Sequence, residues 1–62
     1  MELKKGDLVR HKNHNIGYGI VLSEVHPYKS CMACKVEWVK STERHIIDVD
    51  FLDKVNKSWY NL

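Results

Sequence analysis

The sequence is short of nearly everything that marks a membrane, secreted or catalytic protein. Its 62 residues include one proline, three glycines and two cysteines, with 10 basic residues against 8 acidic ones. No stretch approaches the ~20 apolar residues of a membrane-spanning helix. The first residues, Met-Glu-Leu-Lys-Lys, lack the apolar core of a secretory signal. The expectation is a soluble, cytoplasmic chain whose cysteines stay reduced. A net charge of +2 is far from the strongly basic balance of a dedicated DNA coat. Length is scarce too: a domain this small buries only about 60% of the surface its unfolded chain exposes. That leaves little wall for a catalytic pocket, so a non-enzymatic binding module without a cofactor is the expectation.

No repeat, low-complexity segment or sustained helical period is present, and β-branched and aromatic residues fill the middle of the chain. Residues 8–12 predict a first short strand and residues 18–26 a long second one. Pro27 has no N–H for a ladder and a preset φ, which places a turn at residues 26–30. Residues 34–39 alternate, with Cys34, Val36 and Trp38 on one face and Lys35 and Glu37 on the other, the mark of a half-buried strand. A polar turn at residues 40–45 leads to a fourth strand at residues 46–49. Residues 50–53 predict one helical turn, and residues 54–56 a last short strand.

The second strand carries apolar residues on both faces, Ile20 and Leu22 on one, Val21 and Val25 on the other. A strand bent between two packed sheets needs that arrangement. Gly17 and Gly19 fit it by permitting a sharp turn or a close backbone approach. The expected fold class is therefore all-β, a small SH3-like (Tudor/KOW-like) barrel of about five short strands over residues 1–56, followed by a tail at residues 57–62. Val21, Val36, Trp38, Ile47 and Leu52 are its expected core.

The residues that carry this pattern also carry a resemblance. Gly6, Asp7, Val9 and His11, then Gly17, Gly19 and Val21, then Val36 and Trp38, then Leu52 and Val55 resemble the C-terminal Tudor-like domain of UvrD-type repair helicases. That family opens on a "GDxVxH" stretch and continues with "GxGxV". The order matches across residues 6–55, and related modules occur in CarD-type transcription regulators and the KOW domains of elongation factors. An inserted "NHN" at residues 13–15 and the "CMAC" at residues 31–34 depart from the family pattern. The resemblance implies docking onto a protein partner such as RNA polymerase, or onto nucleic acid as in some KOW domains.

Basic residues cluster near the start, with Arg10 and Lys12 interleaved with His11 and His14 and followed by Tyr18. Cations beside an aromatic suit a protein anchor with flanking charges, or phosphate and single-strand binding. A strand edge kept charged against aggregation has the same composition. Cys31 and Cys34 with His11 and His14 offer an alternative zinc set of two pairs. Extended geometry opposes it, since residues three apart in a strand point to opposite faces and lie roughly 10 Å apart. A Cys31 pair with His26 or His45 has no recognisable orienting group or oxyanion hole. A cage for a methylated lysine has Tyr18, Tyr28 and Trp38 as its available aromatics, with Trp38 at core parity. Trp59 and Tyr60 in the tail suit either a lid over the barrel or an exposed anchor.

Overall fold

A computed structural model of the chain describes residues 3–55. The expected tail at residues 57–62 and the end of the expected last strand, Asn56, lie outside the described residues. The elements run β1 (Leu8–His11), β2 (Tyr18–Val21), β3 (His26–Tyr28), β4 (Cys31–Trp38), β5 (Arg44–Asp48), the 3-10 turn η1 (Val49–Phe51) and β6 (Leu52–Lys54). All pairings are antiparallel. The strands form one curled sheet in the order β3-β4-β2-β1-β6, with β5 on the other side of β4. The result is an all-β half-barrel, compatible with the small SH3-like barrel that the pattern predicts.

The entry to β1 is set by a turn. The Asp7 N–H donates to the Lys4 carbonyl (3.0 Å), and the Lys4 N–H donates to Asp7 Oδ2 (2.8 Å). Gly6 takes φ 94 at the third position, where a side chain would be strained.

The expected continuous second strand is corrected. β2 stops at Val21 and the chain resumes as β3 at His26, both against β4. Val21 faces Val36 and His26 faces Ala33, so five steps along one side oppose three along the other, leaving two surplus residues. They form a bulge over residues 22–25. The Leu22 N–H donates to the Lys35 carbonyl (2.7 Å), and Ser23 Oγ accepts from the Lys35 N–H (3.0 Å). A bulge bends and twists its strand, which is the bend the two-faced apolar pattern calls for.

Pro27 belongs to edge strand β3 rather than to a turn, opposite Met32. An edge position tolerates a residue that cannot donate. The turn itself is Lys29 and Ser30, with Lys29 at φ 56, the left-handed conformation that tight hairpins need at their first central residue. β4 accordingly begins at Cys31, three residues before the expected start.

Three later boundaries shift as well. β5 begins at Arg44 because the Trp38 N–H donates to the Glu43 carbonyl (2.8 Å) and the Thr42 N–H to the Trp38 carbonyl (2.7 Å), closing the loop early. η1 starts one residue sooner than expected, at Val49, with Asp48 Oδ1 accepting from the Asp50 N–H (2.9 Å) as its cap. Leu52 lies in β6 opposite His11 instead of within the expected helical turn at residues 50–53. Its full burial favours the extended conformation, since the sheet delivers its side chain to the core.

That core consists of Leu3, Val9, Val21, Cys34, Val36, Trp38 and Leu52, with Val25, Ile47 and Val49 packed against it. Of the expected core residues, Val21, Val36, Trp38 and Leu52 are buried, and Ile47 is half-buried at its edge. Fully burying one aliphatic side chain stabilises by about 1.5–3 kcal/mol, so few contacts can be lost.

Candidate functional site

Period-two alternation turns the strand residues of the expected patch outward and inward in turn. In β1, Val9 is fully buried and Arg10 points outward. In β2, Gly19 is buried and Tyr18 points outward at 45% exposed. Arg10 and Tyr18 are register partners, so the guanidinium stem and the phenol ring share one outer face of the sheet. Gly17, at φ 86, turns the chain out of the preceding loop directly into this position. The Val39 N–H donates to the Tyr18 carbonyl (2.9 Å), which places another exposed apolar residue beside the ring.

The charges on this face are partly balanced. Arg10 lies opposite Asp53 of β6, and Lys12 Nζ stands 3.9 Å from Asp53 Oδ1. Both members of that pair are about half exposed, so the contact is worth at most ~1 kcal/mol.

His11 turns to the opposite side of β1 from Arg10, and His14 lies in the loop that follows the strand. His11 has the inward parity of Val9, and its ring stacks on Phe51 at 5.8 Å and 13°, with Trp38 at 6.3 Å. The His14 ring lies 4.6 Å away. The Asn13 N–H donates to His11 Nδ1 (3.0 Å), which holds the neutral imidazole with its proton on Nε2. Burial, and then the proximity of His14, lowers the His11 pKa below its ordinary value. The β1–β2 loop leaves a shallow groove of about 300 Å³ among Arg10, His11, Lys12, His14 and Gly17, so these four basic and histidine residues of the expected patch share one recess. A second cleft of about 490 Å³ lies between His14, Ile16, Trp38, Glu43 and His45.

The cysteines are not brought to the histidines. Cys31 and Cys34 both lie in β4, three residues apart, with Cys34 fully buried in the core and Cys31 half-buried. Burial raises the Cys34 thiol. Burial raises the Cys31 thiol too, with Asp48 adding to it, and its Sγ–H donates to the Tyr28 carbonyl (3.3 Å). Among the described residues no group of three or more His, Cys, Asp or Glu side chains is placed to hold a metal. His26 Nδ1 is engaged with the Glu24 carbonyl (3.0 Å) and His45 lies 4.0 Å from Glu43, so neither is bonded to Cys31. Of the aromatics considered for a cage, Tyr28 and Tyr18 are exposed while Trp38 is in the core.

Two residues at these surfaces were beyond sequence reasoning. Val39 follows Trp38 and breaks its alternation, a faint signal of an outward apolar side chain. Phe51 meets His11 only through the β1–β6 pairing, and nothing local announces it. No protein-family model, curated protein or solved structure matches this chain.

Proposed function

We propose that the domain is a non-enzymatic interaction module that docks onto a transcription or repair protein. RNA polymerase is the partner implied by the resemblance to the UvrD-type Tudor-like domains. The observation that carries the reading is the outward pair of Arg10 and Tyr18 on paired strands, with exposed Val39 hydrogen-bonded beside it. An aromatic on a sheet loses little freedom on binding, and charges around it form the polar rim that sets orientation and encounter rate. The alternative is weak nucleic-acid binding through Arg10, His11, Lys12 and His14. Asp53 beside Lys12 and opposite Arg10 weighs against it, because a carboxylate among the cations repels phosphate.

The test is binding of the full chain to purified RNA polymerase over a salt series, with and without nuclease treatment. Saturable binding that survives nuclease and falls about tenfold or more in Tyr18→Ala supports docking. Binding that vanishes on nuclease treatment replaces it with the nucleic-acid reading.

A further inference from the structure

Among the described residues, β5 pairs with β4 and with no other strand. The pairing fixes which of its backbone groups face the open edge. Ser23 Oγ accepts from the Lys35 N–H and the Lys35 carbonyl accepts from the Leu22 N–H, both on the far side of β4 from β5. The Trp38 N–H, by contrast, donates to the Glu43 carbonyl. Even-numbered residues of β4 therefore bond toward β5 and odd-numbered ones away from it. Arg44 and Ile46 stand opposite Glu37 and Lys35, and Asp48 opposite Ala33, so the N–H groups of all three point away from β4. Among the described residues, the N–H and C=O of Ile46 meet no partner.

β5 also lacks the devices that blunt other margins of the sheet. β3 carries Pro27, and β6 is 3 residues long with Asp53 and Lys54 exposed. β5 runs for 5 residues with Ile46 at its centre, 41% exposed. An apolar residue in the middle of an open edge invites a further strand.

That edge is complementary to itself. Set antiparallel to a second copy about a two-fold axis at Ile46, Arg44 meets Asp48 of the other chain at both ends, and Ile46 meets Ile46. These are the residues whose N–H groups face outward, so the two Ile46 residues exchange both backbone bonds. Their side chains share one face, which sets opposite charges on either side of an apolar contact. Arg44 Nε donates to Glu37 Oε1 (2.8 Å), which orients the guanidinium and leaves its terminal nitrogens for a second carboxylate. Asp48 Oδ1 accepts from the Asp50 N–H, and the carboxylate keeps further acceptor capacity. A slip by one pleat in either direction sets Ile46 against Arg44 or Asp48, and a second slip sets like charges face to face.

We propose that β5 is a homodimer edge, at which two copies of the chain join their sheets by antiparallel pairing centred on Ile46. The edge is short and its charges are exposed, so the dimer is weak and concentration-dependent. Arg10 and Tyr18 lie on β1 and β2, across β4 from this edge, so the dimer stands or falls independently of the partner assigned to that face.

The test uses the full chain. Sedimentation over a concentration series should show a monomer–dimer equilibrium, and a protein still monomeric at about 1 mM overturns the proposal. In a mixture of isotope-labelled and unlabelled protein, nuclear Overhauser contacts between Ile46 methyl groups of different chains are expected, and their absence from the dimer overturns it. Ile46→Lys puts like charges on the axis at a position exposed enough to leave the fold intact. It should weaken association about tenfold or more, whereas a dimer that survives the change uses another surface and overturns the edge. Arg44→Glu and Asp48→Lys should each weaken self-association, because each sets like charges together. When the two variants are mixed, every charged pair is opposite again, and association should return. Folded variants that do not associate on mixing overturn the register, and if either variant fails to fold, the Ile46 contacts between chains decide alone.

Discussion

Gly19 lies directly across from Trp38, with no room between the backbone of one and the ring of the other. A Cβ on Gly19 would stand 2.8 Å from Trp38 Cε3 and 2.5 Å from Val36 Cγ1, well inside contact distance. The β2 backbone therefore serves as the wall against which the indole packs. Gly19→Ala should destabilise by about 1–3 kcal/mol through overpacking, read as a lower urea midpoint with an unchanged slope. Gly6 is the control: a Cβ there meets nothing within 4 Å, and only its φ of +94 opposes alanine. If Gly6→Ala loses more stability than Gly19→Ala, the packing around Trp38 is wrongly described.

The same contact explains how far the fold was legible in advance. The alternation of Cys34, Val36 and Trp38 is a local, period-two signal, and all are buried. The apolar pattern at Ile20, Val21, Leu22 and Val25 says that the second strand bends. It does not say where, because a bulge is a mismatch in count between two strands and β4 is needed to see it. Pro27 misled for the same reason: its missing N–H is equally at home in a turn or on an edge strand. At the candidate face, alternation suffices to turn Arg10 and Tyr18 outward. The stacking of His11 on Phe51 depends on contact between distant segments, which no local rule supplies.

Trp38→Ala removes the largest side chain in the core. The expected loss is ~3–5 kcal/mol, enough to unfold a domain of this size. Circular dichroism of the variant at room temperature checks it. A variant that melts like the unmodified protein would show that Trp38 is not the centre of the core.

Stability should depend on the charge of His11. Its pKa is held below 6.5 in the folded state by burial and by His14. The unfolded chain then binds more protons than the folded one as pH drops through that value. Stability from this source is therefore complete above about pH 6.5 and declines as pH falls toward the lowered folded pKa. The Asn13 N–H on Nδ1 acts in the same direction, since protonation breaks that bond. Urea midpoints at about pH 7.5 and about pH 5 should differ less in His11→Phe, which keeps the stacking on Phe51 without the proton. An unchanged difference would assign the pH dependence to other groups.

The two thiols should differ in access while sharing low reactivity. Cys34 is fully buried with a raised pKa, so it should label with a maleimide only as fast as the domain opens. Cys31 is half-buried with its pKa raised by burial and Asp48, so it should label without unfolding but more slowly than in the denatured chain. Mass spectrometry of partly labelled protein separates the two. Equal rates in the folded state would contradict the placement of Cys34.

Asp53 offers the sharpest check on the proposed docking face, because it can be changed without touching the anchor. It lies opposite Arg10 and 3.9 Å from Lys12 Nζ, exposed to solvent. If Arg10 and Lys12 steer an acidic patch of a protein partner, Asp53→Asn should raise the association rate severalfold at low salt. That gain should fade as salt approaches physiological strength, where exposed charges more than ~8 Å apart are largely screened. Tyr18→Ala should act on the other rate: loss of a desolvated ring speeds dissociation, since anchor contacts form after encounter. Its stability should stay within about 0.5 kcal/mol of the unmodified protein, because Tyr18 is exposed. Stopped-flow association and chase dissociation against purified RNA polymerase separate these effects. A Tyr18→Ala variant that binds and dissociates like the unmodified protein would remove the ring from the interface, and the docking face would have to be sought elsewhere on the barrel.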